Sequence, residues 1–351
     1  MSRYVKIRSR KDRISFFLEK RALMYFSLFF GLLCFLFVLA ASLGETFIPP
    51  LDAIKVFFGG GTDVQNLIIE TLRLPRMIVA LFVGVGLALS GAILQGMIRN
   101  PLASPDIIGI SGGGAVAVVL FLTLFSDETD SLTVSIHWMP VAAFIGASLV
   151  GIFVYLLAYK NGVSPMRIIL IGIGLSALTQ AVTNTLMIVG PIYRASQANV
   201  WLTGSVYGAN WAQVKIIVPS ILILVLVSLL ISRRINVQEL GEELAAGVGS
   251  HLQRDRFLFL LVSTALAGIA VSFAGGVGFV GLMAPHIARR LVGSSYGALL
   301  PLSGLIGAIL VIGADLIGRT LFLPNIVPAG VFTATIGAPY FIFLLFSKKQ
   351  A

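Results

Sequence analysis

The side chains that could do chemistry in this chain are few and scattered. His137, His251 and His286 lie far apart, on different predicted elements, so they do not predict a shared metal site. His286 precedes two arginines near a predicted helix end, where a packing role is favoured over ligand or proton chemistry. The single cysteine, Cys34, excludes an intrachain disulfide. The sequence contains no combination of serine, histidine and acidic residue that suggests a hydrolytic active site. The sequence therefore predicts no enzyme, no metal site and no cofactor.

One glycine pattern resembles a nucleotide-binding loop. Gly276, Gly278 and Gly281 spell GxGxxG, but no predicted soluble strand precedes them, and the next acidic residue, Asp315, is too distant. Close helix packing is the better interpretation. The sequence also lacks the GxxxxGK[ST] pattern of a phosphate-cradling loop. If this chain takes part in ATP-driven transport, another chain must hydrolyse the ATP.

The composition describes an integral membrane protein. Of 351 residues, 57% are hydrophobic and only 11% are charged, and the mean hydropathy is +0.98. The net charge of +10 could indicate nucleic-acid binding. Against so apolar a background, however, it favours basic loops on an anionic membrane surface, and we predict no nucleic-acid partner.

Apolar segments of roughly 20 residues are needed to cross a bilayer as a helix. This rule predicts ten helices, at residues 22–43, 77–97, 107–126, 137–159, 166–190, 214–232, 256–275, 277–292, 297–318 and 327–347. The first follows a basic N-terminal segment, 1–21, and is too long for a secretory signal core. Residues 348–351 form a short tail. With the N-terminus in the cytoplasm, most of the 25 basic residues fall in cytoplasmic loops. We therefore predict an all-α, multi-pass protein of a bacterial cytoplasmic membrane.

Six basic residues depart from this rule by falling at predicted outer helix ends or loops, namely Lys55, Arg73, Arg76, Arg194, Lys215 and Arg319. Arg73 and Arg76 flank Pro75, which suits a helix start, so both could project from one face. Positive charge kept on the outer side predicts an acidic partner outside, although binding to phospholipid headgroups is an alternative. Asp315 lies four residues before Arg319, and this spacing predicts an ion pair on one helix face.

The longest polar interruption, residues 233–256, falls on the cytoplasmic side. Its apolar residues recur at helical spacing, at Leu240, Leu244 and Val248. Glycines that allow close turns stand at Gly241, Gly247 and Gly249. We predict one or two short amphipathic helices at the cytoplasmic surface, with a solvated connecting loop as the alternative.

A second polar break, containing two prolines, separates the second and third apolar segments. Side chains from Arg99 to Asp106 cannot lie against hydrocarbon, where they and the nearby backbone would be unsatisfied. The break must therefore lie in water, among headgroups or inside protein. Before it, small residues such as Gly84 and Gly91 allow close helix approach in a membrane.

This break also carries a resemblance. Gln95 and the following RNPLASPDIIGISGGG closely resemble the signature of permease subunits of bacterial ABC importers for iron–siderophore complexes and cobalamin. Similar landmarks follow, namely LRLPR at 72–76, WLTGSVYGANW at 201–211, LGEELAAGVG at 240–249, GGVGFVGLMAPHIARRLVG at 275–293, PLSGLIGAILVIGADLIGR at 301–319 and GVFTATIGAPYFIFLL at 330–345. The resemblance thus covers the chain from about Leu72 to Leu345.

The resemblance implies a cobalamin-permease-like type II importer fold with about ten helices, spanning residues 22–347. In such importers two permeases, identical or different, surround a central pathway. Two cytoplasmic ATP-binding subunits drive them, and an extracytoplasmic binding protein delivers the cargo. The protein itself would be a transport subunit without an active site.

Residue roles are also implied by the resemblance. Positions that match the binding-protein contact are Arg73, Arg76 and Arg319. Positions that match the coupling helices, within 238–253, are Leu240, Gly241, Glu242, Ala246, Gly247 and Gly249. Positions that match the cytoplasmic gate are Asn100, Pro101 and Leu102, with Pro165 and Met166 after the fourth helix. Pro165 and Met166 stand where the cobalamin permease has small hydroxyl residues, which argues against cobalamin as cargo.

The segment WLTGSVYGANW resembles the siderophore branch more than the cobalamin branch. We therefore expect an importer permease for a ferric siderophore, with a siderophore-binding protein outside the membrane. Cobalamin and heme stay open as cargo. A secondary transporter driven by an ion gradient is a more remote alternative, because it would need acidic residues near mid-membrane, whereas Asp315 lies near a predicted helix end.

Overall fold

The computed structural model describes residues 4–8, 15–126, 132–160, 162–190 and 192–347. The predicted tail 348–351 and several of the N-terminal basic residues lie outside these ranges. Within them, the chain folds into the helices α1 (Lys20–Ser42), α2 (Pro50–Phe57), α3 (Asp63–Asn66), α4 (Leu74–Ile98), α5 (Ile110–Leu124), α6 (Met139–Ala158), α7 (Pro165–Val189), α8 (Ile192–Thr203), α9 (Trp211–Glu239), α10 (Glu242–Gly247), α11 (Leu252–Ala274), α12 (Val280–Val292), α13 (Tyr296–Thr320) and α14 (Ala329–Ser347).

The described residues also form two short helical turns and a β-hairpin. A π-helical turn, Leu67–Arg73, leads into α4, and a 3-10 turn, Ile136–Trp138, precedes α6. Near the N-terminus, β1 (Tyr4–Arg8) pairs antiparallel with β2 (Ser15–Glu19). This hairpin lies within the predicted basic segment 1–21 and is an addition to the all-α prediction.

The predicted membrane fold is confirmed. Each of the ten predicted apolar segments coincides with a helix, and among the described residues seven helices are long and apolar enough to cross a membrane. Two further apolar helices, Ile110–Leu124 and Ala329–Leu344, are shorter. The counterpart of the eighth predicted segment, α12, has 13 residues, which gives a length of about 20 Å at 1.5 Å per residue. It is too short to cross a hydrocarbon core of about 30 Å alone.

The helix α4 lies at the centre of the bundle, packed against α9, α11, α12 and α13. Glycines allow its backbone to approach its neighbours closely. A Cβ atom added at Gly91 would lie 1.7 Å from the carbonyl oxygen of Gly281, and one at Gly84 would lie 2.2 Å from that of Gly307. Gly281, the last glycine of the GxGxxG pattern, is thus a packing residue, as predicted.

The polar break between α4 and α5 folds inside the protein. Arg99 ends α4 in a left-handed conformation with φ of 56°, and the side-chain oxygen of Asn100 accepts the Leu102 N–H at 2.9 Å. Ser104 and Pro105 are buried. Arg99, at the start of the break, is exposed, so the protein interior surrounds only the residues that follow it.

Candidate functional site

One end of the bundle, which we call the arginine end, contains Arg73, Arg76 and Arg319. Arg73 and Arg319 donate hydrogen bonds to carbonyl oxygens at and just beyond the end of α1, those of Ala40, Ala41, Ser42 and Thr46. Carbonyls at a helix C-terminus lack partners within the helix and carry the negative end of its dipole. The two guanidinium groups therefore cap α1.

The third arginine forms an ion pair with Asp315 of α13. The Nε atom of Arg76 lies 3.0 Å from each carboxylate oxygen of Asp315, and its Nη2 lies 2.8 Å from Oδ1. Arg319 contributes a longer contact, with 3.8 Å between its Nε and the Asp315 Oδ2. The predicted pair of Asp315 with Arg319 is thus present, but Arg76 is the closer, forked partner.

All three arginines are largely shielded from solvent. The exposed fraction is 7% for Arg73 and 8% for Arg319, and the Arg76 side chain is 12% exposed. Buried cations need compensation, which Asp315 and the end of α1 supply within this chain. Tyr207, whose ring centre lies 5.4 Å from the Arg76 guanidinium, is 64% exposed. The docking role of the three arginines stays a prediction.

The opposite end of α4 meets α10, and we call this the α10 end. The predicted short helix is present as Glu242–Gly247, preceded by Gly241 with φ of 111°, a conformation that favours glycine. Three predicted apolar residues face outward and are 60–68% exposed, namely Leu240, Leu244 and Val248. Only open space surrounds Gly247. The next residues, 250–254, line an open depression of about 610 Å³.

Glu242 accepts hydrogen bonds from two arginines on its Oε1 atom. The distance is 2.6 Å from Nη2 of Arg256 and 3.2 Å from Nη2 of Arg99. The Glu242 side chain is 48% exposed and that of Arg99 is 38% exposed, whereas that of Arg256 is only 4% exposed. Arg256 also donates from Nη1 to the carbonyl oxygen of Val163 at 2.7 Å.

Two further ion pairs stabilise the α10 end. Arg234 of α9 pairs with Asp255 of α11 at 3.1 Å. Arg289 of α12 pairs with Glu239 of α9 at 2.8 Å and donates to the Tyr296 hydroxyl at 2.9 Å. These contacts connect α9, the helix that leads into α10, to its neighbours.

The predicted gate residues lie at two short connections, one that follows α4 and one that leads into α7. Asn100, Pro101 and Leu102 follow α4 directly and are partly buried. Pro165 and Met166 begin α7, and Met166 is 64% exposed. The structure places Arg99 next to the first group and Val163 just before the second, so Glu242 and its arginines are bonded to both connections. Narrowing of a pathway by these residues stays a prediction.

Asp106 lies where the break meets the start of two helices. Its carboxylate accepts the Ser111 hydroxyl of α5 at 2.6 Å and the backbone N–H of Phe279, which precedes α12. Burial raises the pKa of Asp106 above its usual range, and these two hydrogen bonds oppose the rise by favouring the ionised form. Asp106 thus joins the N-terminal ends of α5 and α12.

The helix α7 exposes two amide side chains within a candidate membrane span. Gln180 Nε2 donates to Asn184 Oδ1 at 2.9 Å, and both side chains are exposed. Polar side chains rarely face lipid within a span. This face of α7 is therefore suited to a watery cavity or to another protein.

Several residues of the site were not identified from the sequence. Arg99 and Asp106 were noted only as polar residues of the break, Arg256 only as a basic residue of the cytoplasmic side, and Val163 not at all. For Arg256 and Val163 the only sequence signal was proximity to the predicted coupling and gate segments. His286, for which packing was favoured, lies with Nδ1 2.6 Å from the Tyr340 hydroxyl. In the described part of the chain no three metal-binding side chains cluster.

Comparison with known proteins extends over nearly the whole chain. A model of the FecCD transport family matches residues 32–347. The probable siderophore transport system permease protein YfhA of Bacillus subtilis is 61% identical, covering 95% of this chain and 97% of that protein. The achromobactin transport system permease protein CbrC of Dickeya dadantii is 43% identical, covering 91% of each.

The fold of this chain is also similar to that of a solved ABC transporter structure. It is described as an inward-facing conformation of a metal-chelate type ABC transporter. The match has a TM-score of 0.82 at 30% identity and covers 93% of this chain and 99% of that one.

Proposed function

The chain belongs to the FecCD transport family, and from this membership we propose that it moves a ferric siderophore across the cytoplasmic membrane as the permease subunit of an ATP-driven importer. The siderophore cargo is supported by YfhA, a probable siderophore transport permease that is 61% identical over nearly the full length. The exposed amides of α7, Gln180 and Asn184, support a polar cargo, because they provide hydrogen-bonding groups within a span.

The observation that carries the ATP-driven mechanism is an exposed apolar row along α10. Leu244 projects from this six-residue helix, and Leu240 and Val248 flank its two ends at the surface. Such a patch favours a protein partner. In our proposal an ATP-binding subunit covers these residues, and Gly241, Glu242, Ala246, Gly247 and Gly249 complete the contact. The α10 end then faces the cytoplasm.

The arginine end accordingly faces outward and meets a siderophore-binding protein. Because Arg73 and Arg319 are committed to the end of α1, we assign them the role of holding this surface in place. Arg76, together with the exposed ring of Tyr207, is the better placed to contact acidic groups of the binding protein. A second permease, identical or different, would complete the pathway beside α7, with the segments around Asn100 to Leu102 and Pro165 to Met166 closing its cytoplasmic end.

Cargo is tested by uptake of iron-55-labelled chelates, with labelled cobalamin and heme beside them, in cells with and without this gene. We expect loss of uptake for one class of ferric siderophore and unchanged uptake of cobalamin and heme. Selective loss of cobalamin or heme uptake would overturn the siderophore assignment.

Coupling is tested by Gly247→Trp. Because only open space surrounds Gly247, the indole should not disturb this chain and should instead obstruct a partner at α10. We expect normal abundance in the membrane but loss of the copurified ATP-binding subunit. Gly31→Trp is the matched control, because open space also surrounds Gly31, in α1. Copurification that survives Gly247→Trp would contradict docking at this surface.

A further inference from the structure

A single carboxylate oxygen connects α10 to both connections that we propose as the gate. Glu242 begins α10, and its Oε1 accepts from Arg99 at 3.2 Å and from Arg256 at 2.6 Å. We infer that Glu242, Arg99 and Arg256, which we call the Glu242 link, transmit movement of α10 to the two gate segments. This inference rests on the proposed function, because it assigns connecting residues to the same coupled gate.

The Arg99 arm leads to the first gate segment. Arg99 directly follows α4, precedes Asn100 and holds a left-handed conformation. The Asn100 side chain in turn accepts the Leu102 N–H at 2.9 Å, so the segment is a compact turn. In this inference, a shift of the Arg99 guanidinium therefore displaces the neighbouring turn that contains Asn100 and Leu102.

The Arg256 arm leads to the second gate segment. Arg256 donates from Nη1 to the Val163 carbonyl at 2.7 Å, while the Val163 N–H donates to Gln253 of the same helix, α11, at 2.6 Å. Val163 is thus bonded through both its backbone groups to α11. It stands two residues before Pro165, where α7 begins. This places the Arg256 guanidinium between α10 and the start of α7.

The geometry of the acceptor favours joint movement of the two arms. Both arginines bind the same oxygen atom, so a displacement of Glu242 acts on both ion pairs. Glu242 is 48% exposed and stands beside the apolar row of α10. A partner that covers this row would remove water from the carboxylate and strengthen both pairs, since charges attract more strongly at lower dielectric.

The link is tested in inside-out membrane vesicles that contain the complete importer. With Cys34→Ser to remove the native thiol, Leu102→Cys and Met166→Cys serve in turn as reporters of the two segments. The rate of modification by a membrane-impermeant maleimide is measured without nucleotide and with MgATP plus vanadate. In the otherwise unchanged chain, we expect nucleotide to change the rate severalfold at both reporters.

Substitution of each arginine should affect only one of the two reporters. Arg99→Gln should bring the ratio of rates with and without nucleotide to about 1 at residue 102, and Arg256→Gln should do so at residue 166, because each arm reaches one segment. Glu242→Gln should abolish both responses. Glu243→Gln is the matched control, since Glu243 is an exposed neighbour on the same helix. It should leave both responses intact.

Two measurements distinguish a link from a static contact. The ATP-binding subunit should still copurify with the Arg99→Gln variant, because Arg99 lies outside the proposed contact with that subunit. Full responses at both reporters in Glu242→Gln would overturn the link while leaving the proposed function standing. Absence of any nucleotide response in the unchanged chain would instead overturn the proposed gate and the link together. If Arg256→Gln does not accumulate in the membrane, the Glu242→Gln and Arg99→Gln variants still test whether the Glu242 link transmits movement.

Discussion

The two ends of this permease place the same chemical arrangement in different surroundings. At the arginine end Asp315 lies between Arg76 and Arg319, and at the α10 end Glu242 lies between Arg99 and Arg256. Asp315 is on a 25-residue helix and its side chain is only 6% exposed. Glu242 is on a helix of six residues and is 48% exposed. One carboxylate between two arginines can therefore serve as a fixed part of the core or as a contact at a movable surface.

The remaining donors of the arginines reinforce this difference. At the arginine end Arg73 and Arg319 donate to carbonyls at the end of α1, so a transmembrane helix is held in place. At the α10 end Arg256 donates to the carbonyl of Val163, in a short connection. We expect substitutions at the first end to reduce stability and substitutions at the second to reduce coupling.

The largest loss of stability should follow Asp315→Asn. The substitution leaves Arg76 and Arg319 largely buried without a countercharge, and breaking a buried ion pair on one side costs about 3–5 kcal/mol. The free energy of unfolding, measured in mixed detergent micelles, should fall by about that amount. Asp52→Asn is the control, because its partner Lys55 is 67% exposed. A loss as small as that of the control would refute the fixed role of this end.

A smaller loss should follow Arg73→Gln. Several carbonyls at the end of α1 would lose their charged donor, and leaving such buried groups unsatisfied costs about 1–3 kcal/mol. The effect should be local, so Cys34, which lies within α1 and is exposed, should show altered reactivity toward a membrane-permeant maleimide. Unaltered reactivity together with unaltered stability would show that α1 is held by packing alone.

Glu242→Gln should change stability least among these variants. Its side chain is 48% exposed, whereas that of Asp315 is 6% exposed, so water and salt screen its ion pairs more strongly even though the Arg256 side chain is buried. The same variant should nevertheless reduce siderophore uptake in cells that express the full importer, while Glu243→Gln should not. A stability loss as large as that of Asp315→Asn would remove the contrast between the two ends.

The smallest expected effect is a difference in salt sensitivity between the ion pairs of the two ends. Raising the salt concentration from about 0.1 M to about 1 M shortens the screening length from about 10 Å to about 3 Å and weakens exposed pairs more than buried ones. The stability difference between the unchanged chain and Glu242→Gln should shrink in high salt, whereas that for Asp315→Asn should persist. Equal salt sensitivity would mean that the two carboxylates are equally hydrated.

Most of the fold could be predicted from the sequence. Ten apolar segments stand out because a membrane helix must bury its own backbone hydrogen bonds and must be long enough to cross hydrocarbon. Among the ten predicted segments, α12 differed in kind, since its 13 residues do not cross the membrane as one helix. The short helices α2, α3 and α8 and the β1–β2 hairpin were not predicted. The short helix α10 was also predicted, because its apolar spacing and glycines are local features.

The pairing of charges, in contrast, was decided by tertiary structure. Local spacing predicted the contact of Asp315 with Arg319, four residues away, but the forked partner Arg76 lies 239 residues away. That partner is brought close because α4 and α13 approach through Gly84 and Gly307. Likewise, Arg99 reaches Glu242 across 143 residues. Spacing along one helix can be counted in a sequence, whereas contacts between helices depend on which faces pack together, and only the folded chain determines that.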